Sequence, residues 1–217
     1  MGRLIDQGQR RHAQEAKQRR VKRVLEATAY MVQRLPYSQV SMDSISQRAK
    51  VKKGIASMYF GSKEKLFMSL ISKELDRWFE QLEHLFEASD SFAGPADVAR
   101  VLSEQIADGD IFPRLLSLLS TVLDHNLEVE AVVPFLNSLR VRLEAAGQTL
   151  ASRCDRLTSE QGVRLLRLVL TLIAGAQPFS SPIGVGLIAM SDPAMAPLRV
   201  DLEQDLPGLL GMFFEEG

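Results

Sequence analysis

The feature that most limits what this chain can become is the stretch Ser41–Lys63, SMDSISQRAKVKKGIASMYFGSK. It holds two short helical patterns around a tight turn. Ser41 is a good N-cap, and Asp43 places negative charge in the first turn of the helix that follows. That helix, Met42 to Ala49, keeps Ile45 and Ala49 on one face, and Ala49 is small enough for two helices to cross closely. After Lys50-Val51, with Val51 apolar for the inner corner, a second helix runs from Lys52 or Lys53 to Phe60. Ala56, Tyr59 and Phe60 face inward, while Lys53, Ile55, Ser57 and Met58 face outward. Two short helices joined in this way form a helix-turn-helix, whose second helix fits the major groove of DNA.

The charge distribution agrees. The net charge of −1 says little by itself, but residues 1–65 carry 15 Lys and Arg against 5 Asp and Glu, and residues 66–217 carry 11 against 22. A basic head on an acidic body suits a nucleic-acid reader with a separate regulatory body. With 217 residues, 46% hydrophobic, the chain is long enough for one or two domains with a substantial core. No apolar run reaches the length of a membrane-spanning helix, so no membrane partner is expected. The N-terminus, MGRLIDQGQRRHAQEAKQRR, lacks the apolar core of a signal peptide, and Cys154 has no second cysteine to pair with. These features imply a reducing, cytoplasmic setting.

In chain order, residues 1–17 read as a polar, basic arm with Arg3, Arg10, Arg11 and Lys17, flexible at first and helical toward its end. Val21, Val24, Leu25, Thr28, Met31, Val32 and Leu35 mark an amphipathic helix from Lys17 to Leu35, stopped by Pro36. Arg19, Arg20, Lys22 and Arg23 sit near its start, the unfavourable end of the dipole for cations, where phosphate would offset the cost. Ser62 caps a fourth helix of about 25 residues, striped from Leu66 to Phe86 and roughly 37 Å long at 1.5 Å per residue. Ala88-Ser89-Asp90 and Gly94-Pro95 end it. Helices are expected over Pro95–Ala107, closed by Asp108-Gly109-Asp110, then over Phe112–Leu127, Glu128–Arg153, Thr158–Ala176 and Leu198–Phe214. Residues 177–197, with four prolines and two glycines, read as a long loop with a helical turn near Val185–Met190. Nothing alternates with a period of two, so the fold is all-α.

Residues 21–70 resemble the N-terminal domain of the TetR/AcrR transcriptional regulators. The signature is a recognition helix running into Tyr-Phe-x-Ser-Lys and a long fourth helix, here Gly54-Ile55-Ala56-Ser57-Met58-Tyr59-Phe60-Gly61-Ser62-Lys63-Glu64-Lys65-Leu66. The resemblance implies a three-helix helix-turn-helix DNA-binding domain over residues 1–63. The fourth helix would link it to an all-helical ligand-binding and dimerisation domain over residues 64–217. Four positions depart from the pattern. Lys50 replaces the turn glycine, Lys52 the usual serine cap, and Ile55 and Ser57 the usual threonine and tyrosine. The operator sequence is therefore not transferable from relatives.

Within that resemblance Lys52, Lys53 and Lys63 are the phosphate contacts, and Ser41 presents a helix N-terminus. Gly54 permits close approach, while Ile55, Ser57 and Met58 lie where bases are read and Tyr59 extends its hydroxyl toward a phosphate. A homodimer is implied, because two recognition helices must meet successive major grooves. Its four-helix interface would use Thr158–Ala176 and Leu198–Phe214. An effector pocket would be lined by Trp78, Phe79, Phe86, Phe112, Leu116, Leu119, Phe135, Leu139 and Phe179, with His125 and Asn126 as polar contacts. No metal spacing and no catalytic motif appears, so neither an enzyme nor a cofactor is expected. The expected function is a repressor released from its double-stranded DNA operator by a small apolar or amphipathic effector. The rivals are a regulator of this fold controlled by a protein partner, through the 177–197 loop, and an all-helical small-molecule-binding protein with an incidental basic head.

Overall fold

The structure, a computed structural model, describes residues 2–89, 91–92, 95–105, 111–124 and 127–215. Every regular element among the described residues is helical. They are α1 (Gly2–Val32), α2 (Met42–Arg48), α3 (Ile55–Phe60), α4 (Lys63–Ala88), α5 (Pro95–Glu104), α6 (Phe112–Ser117), α7 (Leu119–Leu123), α8 (Val129–Arg153), α9 (Ser159–Ser180), α10 (Val185–Met190) and α11 (Leu202–Glu215). Short 3-10 turns occupy Tyr37–Gln39 and Pro193–Leu198. The all-α expectation holds. The chain divides into two compact units, Met1–Leu70 and Ile71–Gly217, and the division falls inside α4.

In the first unit the N-terminal arm is helical from Gly2, not flexible. Its Gln, Ala, Glu, Lys and Arg residues are strong helix formers and need no packing to favour that state. Residues 10–20 are exposed apart from half-buried Ala16. Packing begins further on, with Val24, Ala27, Thr28, Met31 and Val32 buried. The buried Thr28 hydroxyl is satisfied by donating to the Val24 carbonyl at 2.8 Å. Because α1 starts so early, Arg19 to Arg23 lie in mid-helix, and the expected dipole penalty does not apply to them. The helix closes at Val32, and the Arg34 and Leu35 amides still turn back to the Met31 carbonyl.

Ser41 caps α2 as its side chain suggests: its hydroxyl accepts from the Ser44 amide at 3.1 Å, and the Ser44 hydroxyl accepts from the Ser41 amide at 3.0 Å. The recognition helix α3 starts at Ile55, two or three residues later than its lysines imply. Gly54 has φ 83°, a left-handed conformation that cannot belong to the helix. Ser62 then caps α4, accepting from the Lys65 amide at 3.2 Å. Ile45, Ala49, Ala56, Leu66, Phe67 and Leu70 are buried and close the core of this unit.

The second unit is built on α8 and α9. Their closest approach is at Gly147 and Gly162, where neither helix has room for a Cβ. α9 begins with a reciprocal cap between Thr158 and Gln161. Packed against α9 are α6 and α11, and α11 also packs along α5. The α4 stripe supplies Trp78, Phe79, Leu82 and Phe86, all essentially inaccessible. Asp76 of α4 is paired with Arg142 of α8 at 2.7 Å, and the Phe92 amide donates to the Arg153 carbonyl at 2.7 Å. Cys154, the residue that ends α8, is buried.

Three boundaries differ from the periodic pattern, each for a local reason. The Phe112–Leu127 segment breaks at Leu118 into α6 and α7, directly after Ser117 turns its hydroxyl back to the Arg114 carbonyl at 2.8 Å. α9 continues through Pro178 to Ser180, because a proline in the last turn forfeits only one hydrogen bond. The Gln177 side chain holds that turn by donating to the Ser181 carbonyl at 2.7 Å. The 177–197 segment is therefore ordered into a helix end, α10 and a 3-10 turn. Finally, α11 starts at Leu202, because the Asp201 carboxylate accepts from the Glu203 and Gln204 amides. The expected breaks at Asp90, Gly94 and Asp108-Gly109-Asp110 lie outside the described residues. By length and composition alone α9 passes for a membrane-spanning helix, but it packs on α8, α6 and α11.

Candidate nucleic-acid interface

The outward face of α3 is open. Ser57 and Met58 are exposed, Met58 by 64%, while Ile55 and Tyr59 are half-buried and Ala56 is fully buried. Lys50, Lys52 and Lys53 are all exposed on the turn that leads into this helix. Lys53 is paired with Asp43 at 2.9 Å, and that hydrogen bond, with the carboxylate charge, raises the pKa of the ammonium. The Tyr59 hydroxyl lies 3.5 Å from the Arg20 guanidinium of α1. Residues 50, 52–54, 57 and 58 are thus exposed along one short stretch of chain in a unit rich in cations.

The turn itself has an unusual residue at its centre. The Val51 amide donates to the Ser46 carbonyl at 3.0 Å and the Lys50 amide to the Gln47 carbonyl at 3.1 Å. This pair of bonds is a Schellman closure, whose left-handed position is usually glycine. Here Lys50 holds it, with φ 52°, the one positive φ of a non-glycine among the described residues. That conformation costs roughly 1–2 kcal/mol for a residue with a Cβ. Arg23 of α1 reaches the same turn: its Nε and Nη2 donate to the Ala49 carbonyl at 2.9 and 2.6 Å, and Nη2 also donates to the Lys50 carbonyl. A cation there also meets the negative end of α2. Arg48, in the last turn of α2, stacks on the Tyr30 ring of α1 at 3.5 Å.

Lys63 is used internally. Its ammonium donates to the Tyr37 carbonyl at 3.2 Å and lies 3.8 Å from the centre of the Tyr37 ring. The Tyr37 hydroxyl donates to Glu64 at 3.1 Å, and the ring meets Phe67 edge-on at 4.8 Å. Burial first, then the Glu64 charge and hydrogen bond, push the Tyr37 pKa well above the usual phenol range. Burial alone would raise Glu64, but its backbone amide, Ser62, Tyr37 and Lys63 together leave it below the ordinary carboxylate value. In this arrangement Lys63 points at the connector before α2.

A profile described as "Tetracyclin repressor-like, C-terminal domain" matches residues 72–215, and one described as "Bacterial regulatory proteins, tetR family" matches residues 24–70. The chain belongs to the TetR family of bacterial transcriptional regulators. No curated protein matches the sequence. Among solved structures it is similar to the fatty acid degradation regulator FadR from Bacillus halodurans, at 12% identity over 89% of this chain and 94% of that one, with a TM-score of 0.59. A TetR regulator from Rhodococcus sp. RHA1 shares 20% identity over 91% and 97%, with a TM-score of 0.54. FadR from Bacillus subtilis, solved in complex with stearoyl-CoA, shares 17% over 89% and 97%, at 0.53. Likeness at these identities establishes the shared fold.

In this TetR-family chain the second unit, matched by the C-terminal profile, gathers most of the residues named for an effector pocket. Trp78, Phe79, Phe86, Phe112, Leu116 and Phe135 are buried, and Leu119 and Leu139 half-buried. Trp78 stacks on Phe112 with ring centres 5.4 Å apart and meets Phe79 edge-on at 5.0 Å. Phe179 departs from the expected set: it is 43% exposed, because it follows Pro178 on the outer side of the last turn of α9. His125 and Asn126 lie outside the described residues. The Trp78 indole N–H is buried with no acceptor among the described residues. Gln177, a buried polar residue absent from the expected set, lies within reach of Ser117 at 3.4 Å. Its neighbours Ala176 and Pro178 gave no sign of a polar contact to α6. Arg23 was equally hidden, since its partner carbonyls are 26 and 27 residues away.

Proposed function

We propose that the chain is a homodimeric, ligand-responsive repressor that reads an operator with Ile55, Ser57 and Met58 and holds its backbone with Lys52 and Lys53. The observation that carries this reading is the open face of α3 beside those lysines, on a unit with ten more cations than acids. Ser41 and Gly54 set the geometry of α2 and α3, Tyr59 would reach a phosphate through its hydroxyl beside Arg20, and Lys63 would have to leave Tyr37 to make the phosphate contact expected of it. A second copy would cover apolar side chains left open on the second unit, such as Leu136 and Val141 of α8 and Leu168 of α9. The expected pairing through α9 and α11 would add Leu209 of α11, which is exposed as well.

The effector would enter the aromatic core around Trp78. An unmet buried N–H costs about 1–3 kcal/mol, which an acceptor on the effector would return. That describes an apolar molecule with at least one carbonyl, ester or carboxylate oxygen. A hundredfold loss of DNA affinity requires about 2.7 kcal/mol of differential effector binding. Stearoyl-CoA, held by the Bacillus subtilis relative, is a natural first probe. A second reading, control by a protein partner, rests on Val185, Leu187 and Ile188 of α10, which are 82%, 58% and 73% exposed.

The test is binding to the DNA upstream of the protein's own coding region across a salt series. The combined Lys53→Ala and Ser57→Ala substitutions are expected to weaken it, and unchanged binding refutes the reading. A thermal-shift series with stearoyl-CoA and related amphiphiles separates the two modes of control, since only a ligand-controlled protein gains melting temperature.

A further inference from the structure

The strained turn before α3 combines three observations. Lys50 occupies a left-handed position, φ 52°, that glycine alone adopts freely. Arg23 satisfies the two carbonyls of that same turn from α1, with a forked guanidinium that one ammonium cannot imitate. The Lys50 side chain is exposed, and among the described residues no carboxylate pairs with it, whereas Lys53 is held by Asp43. A non-glycine residue is kept in such a conformation only where the surroundings over-determine it, and strain of this kind collects at functional positions.

We propose that Lys50 is a further DNA-backbone contact of this protein and that Arg23 is its positioning residue. This rests on the DNA-reading function above. Glycine would close the turn without strain but would carry no charge. Lysine in the left-handed position puts an exposed ammonium, with no carboxylate partner among the described residues, two residues ahead of Lys52. The Arg23 fork supplies the hydrogen bonds and the cation at the α2 C-terminus that hold the turn in that state. The result is a third cation on the entry to the recognition helix, which like Lys52 has no carboxylate partner among the described residues, whereas Lys53 is paired with Asp43. Its ligand is the phosphodiester backbone, so it adds affinity without base preference.

The experiment uses the full-length protein and a 30-base-pair duplex of random sequence, titrated from 50 to 200 mM salt. Wild-type binding that weakens with salt tests the DNA-reading function itself, and its absence overturns both proposals. Given that binding, Lys50→Gly is expected to lower the slope of log affinity against log salt by about 0.9 per protomer. The loss across this fourfold salt range then shrinks about 3.5-fold per protomer. The melting temperature should hold or rise, because glycine relieves the left-handed backbone. An unchanged slope overturns the Lys50 contact while leaving the DNA-reading function standing. For Arg23, the readout is a cycle. Arg23→Ala and Arg23→Lys should weaken binding several-fold in the native chain and much less in the Lys50→Gly background. Equal effects in both backgrounds overturn the positioning role. If Arg23→Ala alone fails to fold, the Arg23→Lys pair of measurements decides.

Discussion

The crossing of α8 and α9 can be tested with one substitution made at two places. At Gly162 an added Cβ would lie 2.5 Å from the Gly147 carbonyl oxygen and 3.2 Å from Gly147 Cα. At Gly147 it would lie 2.6 Å from Val163 Cγ2 and 2.7 Å from the Val163 amide nitrogen. Carbon–oxygen contacts between packed helices settle at about 3.3–3.6 Å, so Gly162→Ala must force the helices apart by roughly 0.8–1.1 Å. The obstruction is backbone, not the tip of a flexible side chain. The upper part of the overpacking range therefore applies, about 2–3 kcal/mol. Alanine returns up to about 1 kcal/mol of helix propensity, leaving a net loss of about 1–2 kcal/mol. For a chain of this size that lowers the melting midpoint by about 2–8 °C. Gly175, on the same helix, has nothing within 4 Å of its missing Cβ. There the propensity gain stands alone, and Gly175→Ala should raise the midpoint by about 1–4 °C. Thermal melts followed by far-ultraviolet circular dichroism compare the variants directly. If Gly162→Ala raises the midpoint as Gly175→Ala does, the close crossing is wrong.

Ser41→Ala should cost about 1 kcal/mol through loss of the reciprocal cap, and Ser41→Gly only a few tenths, measured by amide exchange in α2. The Glu64 carboxyl is depressed on folding, so its contribution is present above the unfolded carboxylate pKa and is lost as pH falls through the lower folded value. Glu64→Gln should flatten stability in that acid window, and an unaltered pH profile would show that the group gains nothing from Tyr37 and Lys63. Trp78 is the sole tryptophan and is buried, so emission should be blue-shifted and should respond directly to stearoyl-CoA. Solvent-like emission in the folded protein contradicts the aromatic core. Lys53→Ala should leave the melting midpoint where it is, because the Asp43 pair is exposed, while lowering the salt slope of DNA binding.

Most of the helical architecture is legible in the sequence because it is written locally. Ser41, Ser62 and Thr158 each cap a helix by bonding an amide three residues on, and all three were readable. The exposed face of α3 followed from its short period and its lysines. What could not be read depends on partners distant in sequence. Arg23 looks like one more cation in a basic helix until the fold brings the α2 carboxyl end to it. Lys63 has the same ambiguity, since only the tertiary position of Tyr37 decides where its ammonium goes. Phe179 fits an aromatic core by type, yet a proline turn places it outside. The segment 177–197 reads as a loop apart from the turn at Val185–Met190, which is α10, because prolines and glycines weigh against helix one residue at a time. Its order comes from bonds such as Arg199 to the Met190 carbonyl at 2.9 Å, which composition does not encode.

The grip of α4 on Tyr37 has a mechanical consequence. Lys63 and Glu64 are the first two residues of α4, and one holds the Tyr37 carbonyl while the other holds its hydroxyl. Tyr37 stands four residues before the cap of α2. A residue held at its backbone carbonyl and at its side-chain hydroxyl, with Phe67 against its ring, leaves this joint no slack. The first turn of α4 cannot rotate about its axis without dragging the connector and shifting Ser41. Torque applied to α4 would therefore reach the start of the helix-turn-helix as a displacement, not be absorbed as bending of the 3-10 turn.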